Sequence, residues 1–240
     1  MHALVTGANG FVGSHLLRHL LAAGDDVLGA FLPLPGRGFE RIDCCQYVKC
    51  DVTDYEAVGR MVAEFRPDAI YHLAGIAFVP EAENNFSRAL LVNVGGVHNV
   101  VRACHVLQLG TTILFVSSAE VYGRIQPEQL PLDETAPVVP ANNYSLSKVM
   151  GELAVERYTR YGYTRAVIVR PFNHIGPGQD ERFVVPSFAR QLAHIACGHS
   201  SPVIRVGNLD TQRDFTDVRD IVRAYRSAVC KGQGVYNLCS

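Results

Sequence analysis

Short apolar runs alternate with longer stretches of helical periodicity along most of the chain. Residues 3–6 (Ala-Leu-Val-Thr) form the first run. A glycine-rich turn over 7–13 leads from it into a helical pattern that carries Leu16, Leu17, Leu20 and Leu21 and closes at Gly24. Further strands are predicted at 27–32, 47–49, 69–73, 113–116 and 165–169. Helices are predicted from a Thr53 or Asp54 cap to about Phe65, from Asn85 to Leu107, and from Tyr144 to Tyr161. Loops fall at the Pro33 to Gly38 stretch and over the polar, proline-containing segment 123–143. This alternation predicts an α/β fold of Rossmann type, a doubly wound parallel sheet covered on both faces.

After Arg170-Pro171 the rhythm changes. Residues 171–182 read as loop, 183–197 as helix, 203–206 as a candidate strand, 218–229 as helix and 235–239 as a final strand. The chain is therefore expected to divide into a dinucleotide-binding domain over 1–170 and a small C-terminal substrate-binding lobe over 171–240. Some elements of that lobe would return to the main sheet. Its ending on a fresh strand predicts a truncated, incomplete lobe.

The 240 residues are 48% hydrophobic, enough for a substantial core. With 22 basic and 23 acidic side chains the formal net charge is -1, so charge offers no footprint for nucleic acid or an anionic membrane. The apolar runs are too short to span a bilayer. Seven cysteines, an odd count, and a first strand beginning at residue 2 without a secretory leader point to a reduced, cytoplasmic setting. Cys44, Cys45 and Cys50 lack a second ligand pair at zinc-site spacing, and no metal is expected.

Gly7, Gly10 and Gly13 form Gly-x-x-Gly-x-x-Gly between the first strand and the first helix. The physics is that of a dinucleotide fingerprint with one spacing changed. Gly7 permits a tight exit from the strand, Gly10 leaves room for a pyrophosphate, and Gly13 allows close helix packing. The helix N-terminus then favours the diphosphate. At the end of the second strand, where an NAD enzyme often carries an acid for the ribose, stand Phe31 and its neighbours, followed by Arg37. Arg37 could pair with a 2′-phosphate, which favours NADP over NAD, or be an ordinary surface arginine. Asp51 is a candidate acceptor for the adenine amino group, or a helix cap. Leu73, Ala74 and Gly75 let the backbone approach a cofactor, while His72 reads as a packed strand histidine.

Tyr144 and Lys148 lie four residues apart on one predicted helical face. A nearby ammonium is expected to lower the phenol pKa from about 10, so that tyrosine can exchange a proton with a substrate oxygen. Ser118, just beyond the fifth strand, can donate a hydrogen bond to that oxygen.

Taken together, Thr6 to Gly13, His72 to Gly75, Ser117 to Gly123, Tyr144 to Lys148, Arg170 to Asn173 and Arg213 to Val218 resemble the extended short-chain dehydrogenase/reductase family, the nucleotide-sugar epimerases, dehydratases and reductases. The resemblance implies Ser118, Tyr144 and Lys148 as the catalytic trio. It implies dinucleotide contacts from Gly7, Asn9, Gly10, Phe11, Val12, Gly13, Asp51, Val52, Leu73, Ala74, Gly75, Asn93, Tyr144, Lys148 and Pro171. Substrate contacts would come from Ser118, Asn173, Arg182, Val184, Arg205 and Arg213. It also implies a homodimer through a four-helix interface built from helices near 86–107 and 144–160.

Three reactions share this scaffold: reduction of a C4 ketone, 4-epimerisation and 4,6-dehydration. Glu120 stands where dehydratases of the family place an acid-base glutamate, although reductases can carry it too, and it could simply hydrogen-bond its own loop. Residues 170–179, 182–185 and 203–210 most resemble the GDP-4-dehydro-6-deoxy-D-mannose reductases. The GDP-mannose 4,6-dehydratases carry a different run after Asn173-His174. The expected function is therefore NAD(P)H-dependent reduction of a GDP-linked 4-keto-6-deoxyhexose to GDP-D-rhamnose or a close relative. The alternatives are a nucleotide-sugar 4,6-dehydratase or 4-epimerase and, outside enzymes, a dinucleotide-sensing binding protein.

Overall fold

The computed structural model describes residues 1–33, 41–160, 162 and 164–240. Seven parallel strands form the central sheet: β1 (His2–Thr6), β2 (Asp26–Phe31), β3 (Gln46–Lys49), β4 (Ala69–His72), β5 (Thr112–Val116), β6 (Arg165–Pro171) and β9 (Gly234–Leu238). Their order is β3-β2-β1-β4-β5-β6-β9. The chain winds outward from β1 to β3, then crosses to β4 on the other side of β1. The β1/β4 boundary is thus the topological switch point, where open α/β sheets bind ligands.

Apolar side chains fill both faces because both are covered. On one side, α2 (Tyr55–Phe65), α5 (Gly96–Val106) and α6 (Asn143–Thr159) bury Val58, Val97, Val100 and Val155 against Leu4, Ile70, Ile113 and Ile168. On the other, α1 (Phe11–Ala22) and α8 (Val218–Lys231) bury Leu16, Leu17, Leu20, Ile221, Val222 and Tyr225 against Val5, Tyr71, Leu114 and Val167.

Most elements fall within a residue or two of their predicted bounds. Asp54, not Thr53, caps α2, accepting from the Ala57 N–H at 3.1 Å. The long helix predicted from Asn85 is a composite of α4 (Phe86–Ala89), one wide π-helical turn (Leu90–Gly95) and α5. Pattern reading misses the short α3 (Val79–Asn84), which has Pro80 in its first turn. It also misses the two-stranded sheet of β7 (Asn173–Ile175), inside the expected loop at 171–182, and β8 (Phe215–Asp217), just before the predicted helix at 218. The candidate strand at 203–206 does not form. Its residues are exposed, and the Arg205 N–H bonds to the Gln191 side chain of α7 (Val184–Ala196) instead of a strand. The last predicted strand, β9, is a full member of the main sheet, paired with β6 from Val167–Gly234 to Pro171–Leu238.

His72 ends β4 with its ring buried. Its Nδ1 lies 3.0 Å from Thr6 Oγ1, which accepts the Ala74 N–H at 3.2 Å, so the Thr6 hydroxyl is free to donate to the imidazole. Nε2 has no partner. Burial, helped by the Lys148 charge, pulls the His72 pKa down to about 3 from 6.5. Between these values the unfolded chain binds more protons than the folded one. Stability is therefore lost as pH falls below 6.5, at about 1.4 kcal/mol per pH unit from this group. His72→Asn removes that contribution. In urea titrations between neutrality and about pH 5, the stability of the wild type relative to the variant should fall by roughly this slope. A difference independent of pH would contradict a neutral buried His72.

Candidate functional site

The turn after β1 shows why glycine is needed. Gly7 has φ +70°, and a Cβ there would meet the Ala74 nitrogen at 2.8 Å. A Cβ on Gly13 would lie 2.3 Å from the Gly7 carbonyl oxygen, closer than any side chain allows. Gly10 caps α1 without a side-chain hydrogen bond. That leaves the N–H groups of the first turn and the positive end of the helix dipole for an anion. Asn9 reaches across to the Leu32 carbonyl at 2.8 Å and ties the turn to the end of β2. Phe11 and Val12 open the helix, and Phe11 stacks on His174 at 6.1 Å. The fit to a dinucleotide pyrophosphate rests on this tight glycine turn, which presents the first turn of α1 without a capping side chain.

The ends of β4, β5 and α6 converge beside it. Asn93, inside the π-helical turn and 1% exposed, accepts the Ile76 N–H at 2.7 Å and donates to the Ile76 carbonyl and to Ser147 Oγ. The widened turn directs this side chain under the loop at Gly75, where a Cβ would meet Asn93 Oδ1 at 3.0 Å and Lys148 Nζ at 3.6 Å. Lys148 donates to the Val116 carbonyl at the end of β5, at 3.0 Å.

Tyr144 is buried beside Ser118. Burial pushes its pKa up to about 12; the Ser118 hydroxyl opposes this and the Glu120 charge adds to it. Lys148, also buried, is pulled down to about 8 by desolvation, against the charge of Glu152. The expectation that the ammonium lowers the phenol pKa is therefore not met. Lys148 Nζ sits 5.8 Å from the Tyr144 ring centroid, and burial dominates the phenol.

The N-terminus of α6 is pinned from three sides. Asn142 and Ser145 form a reciprocal capping box. Glu83 of α3 accepts from the Asn143 N–H at 2.6 Å and from its side chain at 3.0 Å. Exposed Glu120 accepts from Asn142 Nδ2 at 3.3 Å. The Ser118 hydroxyl also accepts the Glu120 N–H, at 3.2 Å.

Other candidates are placed less directly. Asp51 Oδ1 accepts both the N–H and the hydroxyl of Thr53, at 2.9 and 2.8 Å. Val52 is buried, its carbonyl bonded to Asn99. Pro171 ends β6, and exposed Asn173 opens β7. Arg182 is ion-paired with Asp180 at 3.0 Å and Glu81 at 3.6 Å, and lies over the Phe78 ring. Val184, Arg205 and Arg213 are exposed, and the Arg213 guanidinium bonds to the neighbouring Gln212 carbonyl. Arg37 lies outside the described residues.

Sequence reasoning passed over Thr6, Ser117, Glu152 and Glu83. Glu152 had a readable signal: it follows Lys148 at the same four-residue step that separates Lys148 from Tyr144. Glu83 had none, because α3 itself was not predicted.

The profile of the NAD dependent epimerase/dehydratase family matches residues 3–239. GDP-6-deoxy-D-mannose reductase of Pseudomonas aeruginosa is 37% identical over 238 residues, covering 98% of this chain and 73% of the relative. The structure of RMD from Pseudomonas aeruginosa complexed with NADPH is similar with a TM-score of 0.85 and 36% identity, over 99% of this chain and 75% of that one. UDP-glucose 4-epimerase of Thermus thermophilus in complex with NAD gives a TM-score of 0.89 at 29% identity, over 100% and 78%. With that profile matched over nearly its whole length, the chain belongs to the NAD-dependent epimerase/dehydratase family.

Proposed function

We propose that this protein reduces the C4 ketone of a GDP-linked 4-keto-6-deoxyhexose, with NADPH preferred over NADH, to GDP-D-rhamnose or a close 6-deoxyhexose. The observation that carries the reading is the buried Tyr144 phenol beside Ser118, with Lys148 one turn further along the same helix and anchored to the end of β5. Reduction of a ketone needs an acid at the carbonyl oxygen, and a neutral phenol is that acid. A bound reduced nicotinamide supplies the hydride to C4. Tyr144 delivers its proton to the oxygen, and the Ser118 hydroxyl donates a hydrogen bond to the same atom as negative charge develops. Lys148 holds the cofactor ribose and stabilises the phenolate left behind. Gly7, Gly10 and Gly13 seat the pyrophosphate with Asn9, Phe11 and Val12. Leu73 to Gly75 and Pro171 flank the nicotinamide half, Asp51 and Val52 meet the adenine, and Asn93 supports the site.

The preference for NADPH rests on the end of β2, where Phe31, Leu32 and Pro33 offer no acid to repel a 2′-phosphate. The reductase reading draws on likeness to the Pseudomonas aeruginosa GDP-6-deoxy-D-mannose reductase. The segment from Pro171 to about Asp214 serves as the substrate lobe, with Asn173, Arg182, Val184, Arg205 and Arg213 toward the sugar nucleotide. Glu120 already caps Asn142, which favours simple reduction over dehydration, where a carboxylate must work at C5 and C6. A cytoplasmic setting accords with seven free cysteines; among the described residues no helix is long and apolar enough to cross a membrane.

Protein mixed with GDP-4-keto-6-deoxymannose and NADPH should consume cofactor stoichiometrically and yield a 4-hydroxy product. Tyr144→Phe should slow this by roughly 100-fold or more while leaving the fold intact. Conversion of GDP-mannose to a 4-keto sugar, without net loss of reduced cofactor, would replace the reading with the dehydratase.

The same reading includes a homodimer built from α5 and α6. Val106 of α5, Leu146, Met150 and Leu153 of α6, and Leu91 in the π-helical turn before α5 are exposed, and a four-helix contact would cover them. Sedimentation should give a dimer for the wild type and a monomer for Leu153→Arg. A wild-type monomer at micromolar concentration would rule the interface out.

A further inference from the structure

Glu152 and Lys148 lie one turn apart on the inner face of α6, 4% and 8% exposed. Both grip the end of β5. Lys148 Nζ donates to the Val116 carbonyl at 3.0 Å, and the next residue, Ser117, donates its hydroxyl to Glu152 Oε1 at 2.5 Å. From β6, Arg170 holds the same carboxylate with two N–H groups, Nε to Oε1 at 3.0 Å and Nη2 to Oε2 at 2.7 Å. Arg170 Nη1 donates to the Tyr122 hydroxyl, which in turn donates to Asn237 of β9 at 2.7 Å. Gly151 brings the helix this close, since a Cβ there would meet Phe115 Cζ at 2.5 Å.

Charges in a dry interior persist only when partnered. Lys148 is faced by Tyr144 and Glu152 from its own helix, by neutral His72 from β4, and by the Phe115 ring and the Val116 carbonyl from β5. Arg170 of β6 stands behind Glu152. Among these groups Glu152 carries the one negative charge.

We propose that Glu152 is the positioning residue that keeps the Lys148 side chain charged and seated at the end of β5, with Ser117 and Arg170 fixing its carboxylate. The inference rests on the place of Lys148 in the proposed site, not on the identity of the substrate. Removing the Glu152 charge leaves Lys148 and Arg170 as two unopposed cations, and Lys148 gives up its proton more readily. Removing the Arg170 charge leaves Glu152 unopposed, and Lys148 holds its proton more tightly.

The chain has three lysines, Lys49, Lys148 and Lys231, so protein labelled with carbon-13 at the lysine ε position gives three resonances. Lys148 is assigned by its loss in Lys148→Met and titrated in dinucleotide-free protein. Glu152→Gln should weaken its proton affinity about tenfold or more, and Arg170→Gln should strengthen it. The double variant should return close to the wild type. Ser117→Ala, which retains every charge, should move the midpoint by no more than a few tenths of a pH unit. If either charge variant fails to fold, the other reads the same interaction from the opposite side. A Lys148 midpoint unmoved in the charge variants, or moved as far by Ser117→Ala, overturns the proposal. Failure of the reductase reading is separate, seen as absent turnover in the wild-type protein.

Discussion

A parallel sheet covered on both faces leaves one place for polar chemistry, the carboxyl ends of its strands. Everything functional in this protein follows from that constraint. The faces are filled by aliphatic side chains such as Leu4, Ile70, Ile113 and Leu114, none of which is exposed. Polar residues begin where strands stop: Thr6 on β1, His72 on β4, Ser117 and Ser118 after β5, Arg170 near the end of β6. The switch between β1 and β4 opens a crevice there, and the glycine turn lets a helix N-terminus face it without side chains in the way.

Helix α6 meets the constraint differently. Its buried positions include Tyr144, Ser145, Ser147, Lys148, Gly151 and Glu152, a stripe that is largely polar. A helix that buries such a face depends on partners supplied by its surroundings. They come from separate elements: Asn93 bonds Ser147, Val116 accepts from Lys148, Ser117 and Arg170 hold Glu152, and Glu83 caps the start. The same bonds that satisfy buried groups also fix the geometry of the reacting ones. Stability and preorganisation have a common origin here.

This distribution explains what could be read in advance. The strands and the glycine turn were legible because continuous apolar runs and Gly-x-x-Gly-x-x-Gly are local signals. Tyr144 and Lys148 were legible because helical spacing puts them on one face. The candidate strand at 203–206 misled because β-branched residues describe a tendency, and no neighbouring edge pairs with it. For Arg182, expected from the resemblance to contact substrate, sequence gave no sign of its ion pairs with Asp180 and Glu81. Glu83, Ser117 and Arg170 act through partners 18 to 60 residues away, a separation that no window of sequence reports.

The tyrosine shows most clearly why geometry had to be added to spacing. From sequence, a lysine one turn away suggests an acidified phenol. In the folded chain desolvation acts on both groups at once, and it disfavours the charged form of each. Tyr144 is thus pushed toward neutral phenol while Lys148 is pulled down to about 8. Those two shifts oppose an ion pair between them at rest. They favour one only after the phenol has given up its proton, when the new negative charge finds an ammonium within its helical turn. Helical spacing conveys the pairing of the two groups but not the dry surroundings they share, and those surroundings set which form each prefers.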